Sequence, residues 1–197
     1  MVVAPCVSPW AYETINRWNN KAVDPNRSFK VDGAAEEATN LMKFVSNLKA
    51  DVIAHIDLHE TTDTDQTIFC PALAARDALG DDYDFGTIPD GFYLCGDTEK
   101  PELEFQKAVL DAVSKVTHIA EEDKDGMIIG TKISYAGLIL YPSKMLGLCS
   151  GMTDTSYKTT TEVYPDSPRK VTGEECIKAQ VAAVKGGLDY IIRKGLA

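Results

Sequence analysis

His59 is the residue whose surroundings carry the most chemistry. It ends the run Ala54-His55-Ile56-Asp57-Leu58-His59, in which Val52, Ile53, Ile56 and Leu58 form a strand-like apolar segment that delivers an imidazole and a carboxylate to its C-terminal end. Open α/β sheets place ligands at such ends, and the following Glu60-Thr61-Thr62-Asp63 suits a cavity wall. Upstream lie Arg17 and the run Asp24-Pro25-Asn26-Arg27-Ser28-Phe29. Guanidinium groups grip carboxylates with two parallel bonds, and an asparagine amide adds an oriented donor. Downstream, Thr159-Thr160-Thr161-Glu162-Val163-Tyr164 sets a glutamate inside a β-rich run. Glutamate is depleted in strands and seldom buried unpaired; beside a metal it becomes a base able to take a proton from water. Metal ligand, anion clamp and base, in that combination, read as a metallohydrolase. One histidine does not hold zinc, however. His55 shares a strand face with His59, but four residues of strand separate them by roughly 13 Å. His118 reads as a core or supporting residue.

These residues need elements to position them. Residues 2–7 read as a strand that begins at once, as though in mid-fold, followed by a polar loop to Gly33. A helix is expected over 34–49 with Asp32 as its N-cap. The strand over 51–58 is nearly continuously apolar and so expected to be buried on both faces. Residues 61–91 read as long connections. A strand at 92–95 precedes a helix begun by Pro101, with Phe105, Val109, Val113 and Val116 on one face. Further strands are expected at 127–131, 137–141, 145–149 and 159–164. Thr172 and Glu175 form a capping box for a closing helix, whose buried face is marked by Ile177, Val181, Val184, Leu188 and Ile191. The pattern predicts one α/β domain over residues 1–197, with a mixed, mainly parallel sheet flanked by helices.

The 197 residues suffice for one sizeable core. A net charge of −10 argues against nucleic acid or an anionic membrane as partner, because both demand basic patches. No stretch approaches the roughly 18 apolar residues of a membrane span. The five cysteines are scattered without a Cys-x-x-Cys pair. Buried, reduced thiols in a cytoplasmic protein are therefore expected, and no secretory leader is evident. Gly147-Leu148-Cys149-Ser150-Gly151 has the look of a nucleophile turn, but no histidine partner stands near it in the pattern.

Taken together, the clusters around Arg17, Asn26-Arg27, His59 and Glu162 resemble the zinc carboxypeptidase superfamily, which also contains the succinylglutamate desuccinylase and aspartoacylase deacylases. The resemblance spans roughly residues 8–166, and the joint order of its short motifs makes it more specific than any one of them. It implies that His59 is the third zinc ligand, that Glu162 is the general base, and that Arg17 polarises the scissile carbonyl. Asn26 and Arg27 would clamp a terminal carboxylate. The stretch from Leu140-Tyr141-Pro142 to Glu162 is similar to the family's mobile tyrosine loop, so Tyr141 would cap the substrate and Thr153 would line its specificity pocket. The implied activity is removal of a C-terminal residue from a peptide by zinc-activated water. The alternatives are cleavage of a small N-acyl amino acid or a non-catalytic carboxylate-binding module. The family's His-x-x-Glu motif, expected before Arg17, does not occur among the sixteen residues there. The resemblance therefore implies one zinc ion with two further ligands from a segment absent here, and poor zinc binding by this chain alone.

Overall fold

A computed structural model describes residues 1–80 and 86–195. Its centre is a four-stranded sheet of β1 (Ala54–Glu60), β6 (Tyr157–Val163), β2 (Tyr93–Asp97) and β5 (Leu138–Tyr141), in that spatial order. The β1–β6 and β2–β5 pairs are parallel and the central β6–β2 pair is antiparallel, so the sheet is mixed and mainly parallel, as expected. A small hairpin, β3 (Met127–Ile128) with β4 (Thr131–Lys132), stands apart from it.

Register decides what each face carries. His55, Asp57 and His59 of β1 stand opposite Lys158, Thr160 and Glu162 of β6, while Tyr93 stands opposite Glu162 and Cys95 opposite Thr160. Registered neighbours project to the same side, so nearly every ionisable side chain of the sheet falls on one face. The other face carries Ile56, Leu94 and Leu138, covered by α4 (Leu103–Val113) and α6 (Gly173–Arg193). Phe105, Val109 and Val113 of α4 are fully buried there and Val116 packs against them, confirming that helix's expected face. α6 begins at the Thr172–Glu175 capping box, with both reciprocal bonds formed.

Several local expectations fail for identifiable reasons. No strand forms over 2–7. Met1, Val2 and Val3 are exposed without a partner strand, and the chain enters a short helix, α1 (Pro9–Thr14), with proline in its first turn. α2 (Glu36–Ser46) is capped by extended Ala35 rather than Asp32. Residues 65–77 are helical: a π turn over Asp65–Phe69 runs into α3 (Cys70–Asp77), and only 81–85 of the expected connection lie outside the described residues. Residues 145–149 are not a strand. α5 (Ser143–Leu146) ends at Gly147, whose φ of 67° is the left-handed cap a glycine supplies, and a 3-10 turn (Cys149–Met152) follows. β1 is a half-buried edge strand, not one buried on both faces. On α6 the buried face is Cys176, Ala179, Ala183, Gly186, Gly187 and Ile191, while Ile177, Val181 and Leu188 are exposed.

Candidate active site

The polar face gathers a connected set of side chains around His59. Its Nε2 lies 3.0 Å from Asp57 Oδ2, two residues back on the same strand face. Its Nδ1 lies 3.6 Å from Glu162 Oε1 on the neighbouring strand. The other Glu162 oxygen accepts a bond from the Thr61 hydroxyl at 3.0 Å, and buried Tyr93 stands opposite Glu162 on the next strand. Gln180 of α6 donates to the His59 carbonyl at 2.8 Å, which fixes the strand end from the opposite layer.

The environment tunes these groups. Burial works against a charged His59, but the Asp57 carboxylate, its hydrogen bond and Glu162 outweigh burial and raise the imidazole to about 9. Asp57 is pushed up by burial and pulled further down by His59, ending below the ordinary carboxylate range. Glu162 ends above that range, because burial exceeds the opposing effects of His59 and the Thr61 bond. A glutamate raised in this way holds a proton more readily than an exposed one, which suits a base.

Asp57 is supported in turn. It lies beside the Cys149 thiol, whose own ionisation is suppressed first by burial and then by the Asp57 charge. Cys149 Sγ also lies 3.8 Å from His55 Nε2, and His55 Nδ1 is 3.0 Å from Thr153 Oγ1. The histidine that the Gly147–Gly151 pattern lacked in sequence is therefore close in space. Burial pulls His55 down, leaving it neutral. With the thiol held protonated, this pair is a structural contact rather than a thiolate nucleophile.

The remaining site residues fall in two places. Arg17 is held by Asp24 at 3.4 Å and by Asp65 at 3.1 Å. Among the described residues Arg27 makes one ion pair, to Asp24 at 3.3 Å; it is half-exposed, and its positive charge bears on both His59 and Tyr141. Both arginines line a cleft of about 680 Å³ together with Trp18, Lys30, Leu73 and Arg76; neither His59 nor Glu162 lines it. Asn26 does not line the cleft: its Oδ1 accepts from the Cys149 backbone N–H at 3.0 Å. Tyr141 ends strand β5, with its hydroxyl accepting from Thr131 at 3.1 Å, and so sits on a strand rather than a loop. Thr153 is buried against His55 and does not line the cleft.

As a metal site the cluster is partial. His59 has a carboxylate on each ring nitrogen, Asp57 on Nε2 and Glu162 on Nδ1; to ligate a metal through Nδ1 it would have to give up the proton facing Glu162, with Asp57 then orienting the ring. Catalytic zinc needs three protein ligands. Among the described residues, no three His, Cys, Asp or Glu side chains are grouped to hold a metal ion.

No described protein family matches the sequence, and no curated protein is significantly similar to it. Solved structures with the same fold do exist. A candidate metallopeptidase from Shewanella denitrificans OS217 superposes with a TM-score of 0.57 at 16% identity, over 94% of this chain and 58% of that one. A candidate metallopeptidase from Shewanella baltica OS155 superposes with a TM-score of 0.53 at 15% identity, over 94% of this chain and 61% of that one. The likeness is one of fold, and this chain spans about three fifths of either neighbour's length.

Proposed function

We propose that this chain is part of a metallohydrolase that removes a C-terminal residue from peptides, with His59 supplying one ligand to a zinc ion and Glu162 acting as base. One observation carries the reading: His59 Nδ1 faces the Glu162 carboxylate at 3.6 Å while Asp57 holds Nε2. When bound, a divalent metal supplies Lewis acidity toward a carbonyl and water. The chain's own residues do the rest. Glu162 takes a proton at Oε1 while Thr61 holds Oε2. Arg27, paired among the described residues with Asp24, would offer its remaining guanidinium N–H groups to a substrate carboxylate. Asn26, fixed through its Oδ1, presents its amide nitrogen in one orientation. Arg17 would polarise the carbonyl, Tyr141 would cap the substrate, and Thr153 would act only through His55. The two further zinc ligands would come from outside these residues, and the single domain would be a partial catalytic domain acting in the cytoplasm. Cleavage of an N-acyl amino acid would use the same groups.

A second reading, a carboxylate-binding module without metal, draws on the cleft that holds Arg17, Arg27, Lys30 and Arg76. The deciding experiment titrates Zn²⁺ into the chain while following the histidine ring signals by NMR. Weak binding that shifts His59 first, and that His59→Ala removes, is the expected result. Zinc that leaves His59 untouched, together with acyl-glycine binding that depends on Arg27, would replace the hydrolase with the module.

A further inference from the structure

α6 is apolar over two adjoining arcs, and only one is covered. Helix positions advance by about 100° per residue. Gly186 faces α4, since a Cβ there would lie 2.6 Å from the Ala112 methyl. Gly187 faces the sheet, where a Cβ would lie 3.5 Å from Ile56 Cδ1 of β1. Ile177, Val181, Leu188 and Ile192 fall on the side away from α4, in one stripe at three-to-four spacing, and are 67%, 52%, 38% and 65% exposed. α6 packs on β6 and β1 while α4 packs on β2, so that side lies toward the outer edge of β1.

β1 is unfinished in the same direction. It pairs with β6 on one side, and among the described residues no strand pairs with the other. None of its seven residues is buried, whereas β2 and β6 are mostly buried. Leu58, on the α6 side of the sheet, is 50% exposed. Natural sheet edges are protected by lysine, proline, bulges or brevity; β1 is seven residues long with neither lysine nor proline. An unpaired strand edge and an apolar helix stripe above it make one continuous face.

We propose that this face docks a strand–helix unit, whose strand pairs with the free edge of β1 and whose helix packs on Ile177, Val181, Leu188 and Ile192. Such a unit is how a layered α/β sheet grows at its edge, one strand in the sheet and one helix in the layer. The occupant is a further segment of the same protein, outside these 197 residues. About two fifths of the length of either solved neighbour lies outside the part this chain matches, which is ample for the unit. The proposal stands apart from the metal chemistry, because it concerns only apolar cover and backbone pairing.

The test is carbene footprinting of the 197-residue chain beside the protein isolated from the cells that make it, with cross-linking from Lys178 and Lys185, which flank the stripe. Leu58, Ile177, Val181, Leu188 and Ile192 are expected to label strongly in the 197-residue chain and several-fold less in the cellular protein. The cross-links should then lead to a segment that reads as an apolar strand followed by a helix. Equal labelling in both samples would overturn the proposal. So would protection that grows with concentration and cross-links α6 to α6, since the cover would then be a second copy. Zinc binding is not read in this experiment, so its outcome leaves the hydrolase proposal to be judged separately.

Discussion

Replacing Lys158 with methionine tests whether the polar face of the sheet is held by charge. Lys158 and Asp97 are almost wholly buried, and Nζ lies 2.9 Å from Asp97 Oδ2. Lys158 also reaches the Thr153 carbonyl at 3.4 Å, and its own carbonyl accepts from Gln106 at 2.8 Å. Asp97 Oδ1 accepts the Glu99 backbone N–H at 2.6 Å and that of Lys100 at 3.4 Å. Burial pushes Asp97 upward, but Lys158 and those N–H groups pull it further down, so it is charged at neutral pH. Methionine keeps the stem's packing and removes the cation, stranding a buried carboxylate. Breaking a buried pair costs about 3–5 kcal/mol. At roughly 2–4 °C per kcal/mol for a chain of this size, the melting temperature should fall by about 6–20 °C.

Urea unfolding followed by circular dichroism at pH 7 and pH 3 measures both the size and the sign. A carboxyl depressed in the folded state stabilises above its unfolded value, about 3.9, and that contribution disappears as pH falls through the folded value. The wild type should therefore lose stability on acidification while Lys158→Met loses less, and the gap between them should narrow at pH 3. Adding Asp97→Asn, which still accepts the two N–H groups, should restore most of the loss at pH 7. A cost below about 1 kcal/mol, the size of an exposed pair, would refute the reasoning.

Three further outcomes are expected. Asp57→Asn should lower zinc affinity about 10- to 100-fold, as loss of an outer partner of a metal-bound histidine does, with unchanged circular dichroism; a competition assay with a chromogenic chelator that finds equal affinities would count against the role of Asp57. On α6, Val181→Glu should leave the stability of this chain within about 0.5 kcal/mol of wild type, whereas Ile191→Ala should cost about 2–5 kcal/mol, as exposed and buried positions do; parallel melts decide it, and a reversed order would mean that the helix is turned. Thr172→Ala should cost about 1 kcal/mol through loss of the capping box, read as a lower urea midpoint, and no change would show that the bond is replaced by water.

What was legible in the sequence were elements with one strong periodic signal. α4 carries a single apolar stripe, and the Thr172–Glu175 cap is local chemistry. α6 carries two overlapping stripes at the same spacing, and periodicity cannot rank them. The interior went to alanine and glycine because α4 approaches so closely that a Cβ at Gly186 would collide with it; Ile177 and Val181 were too large for that seam. At 145–149 the apolar run suited a strand or a helical turn equally, and the left-handed Gly147 decided it. His59 and Glu162 stood out singly, but only parallel pairing of β1 with β6 set them side by side. Asp57 was within reach of a sequence argument, since alternation along His55-Ile56-Asp57-Leu58-His59 puts all three polar residues on one face. Cys149 was not, since its partners come from a strand some ninety residues upstream.

Cys149 shows why the two halves of the candidate site behave as one. Its backbone N–H holds Asn26 beside the arginine-bearing turn, and its thiol lies beside Asp57, which holds His59. The same loop meets that turn again, where the Phe29 N–H donates to the Gly147 carbonyl at 2.9 Å and a Cβ on Gly147 would lie 3.0 Å from the Arg27 carbonyl. These contacts from one short loop fix the Asn26–Arg27 turn relative to the imidazole. Under the proposed function, a substrate carboxylate on Arg27 would thereby share one frame with Glu162, although cleft and imidazole sit on different elements. Positioning of this kind places large demands on rigid support. The buried Lys158–Asp97 pair meets that demand, since it ties β6, which carries Glu162, to the end of β2 and to the loop that carries Cys149 and Thr153.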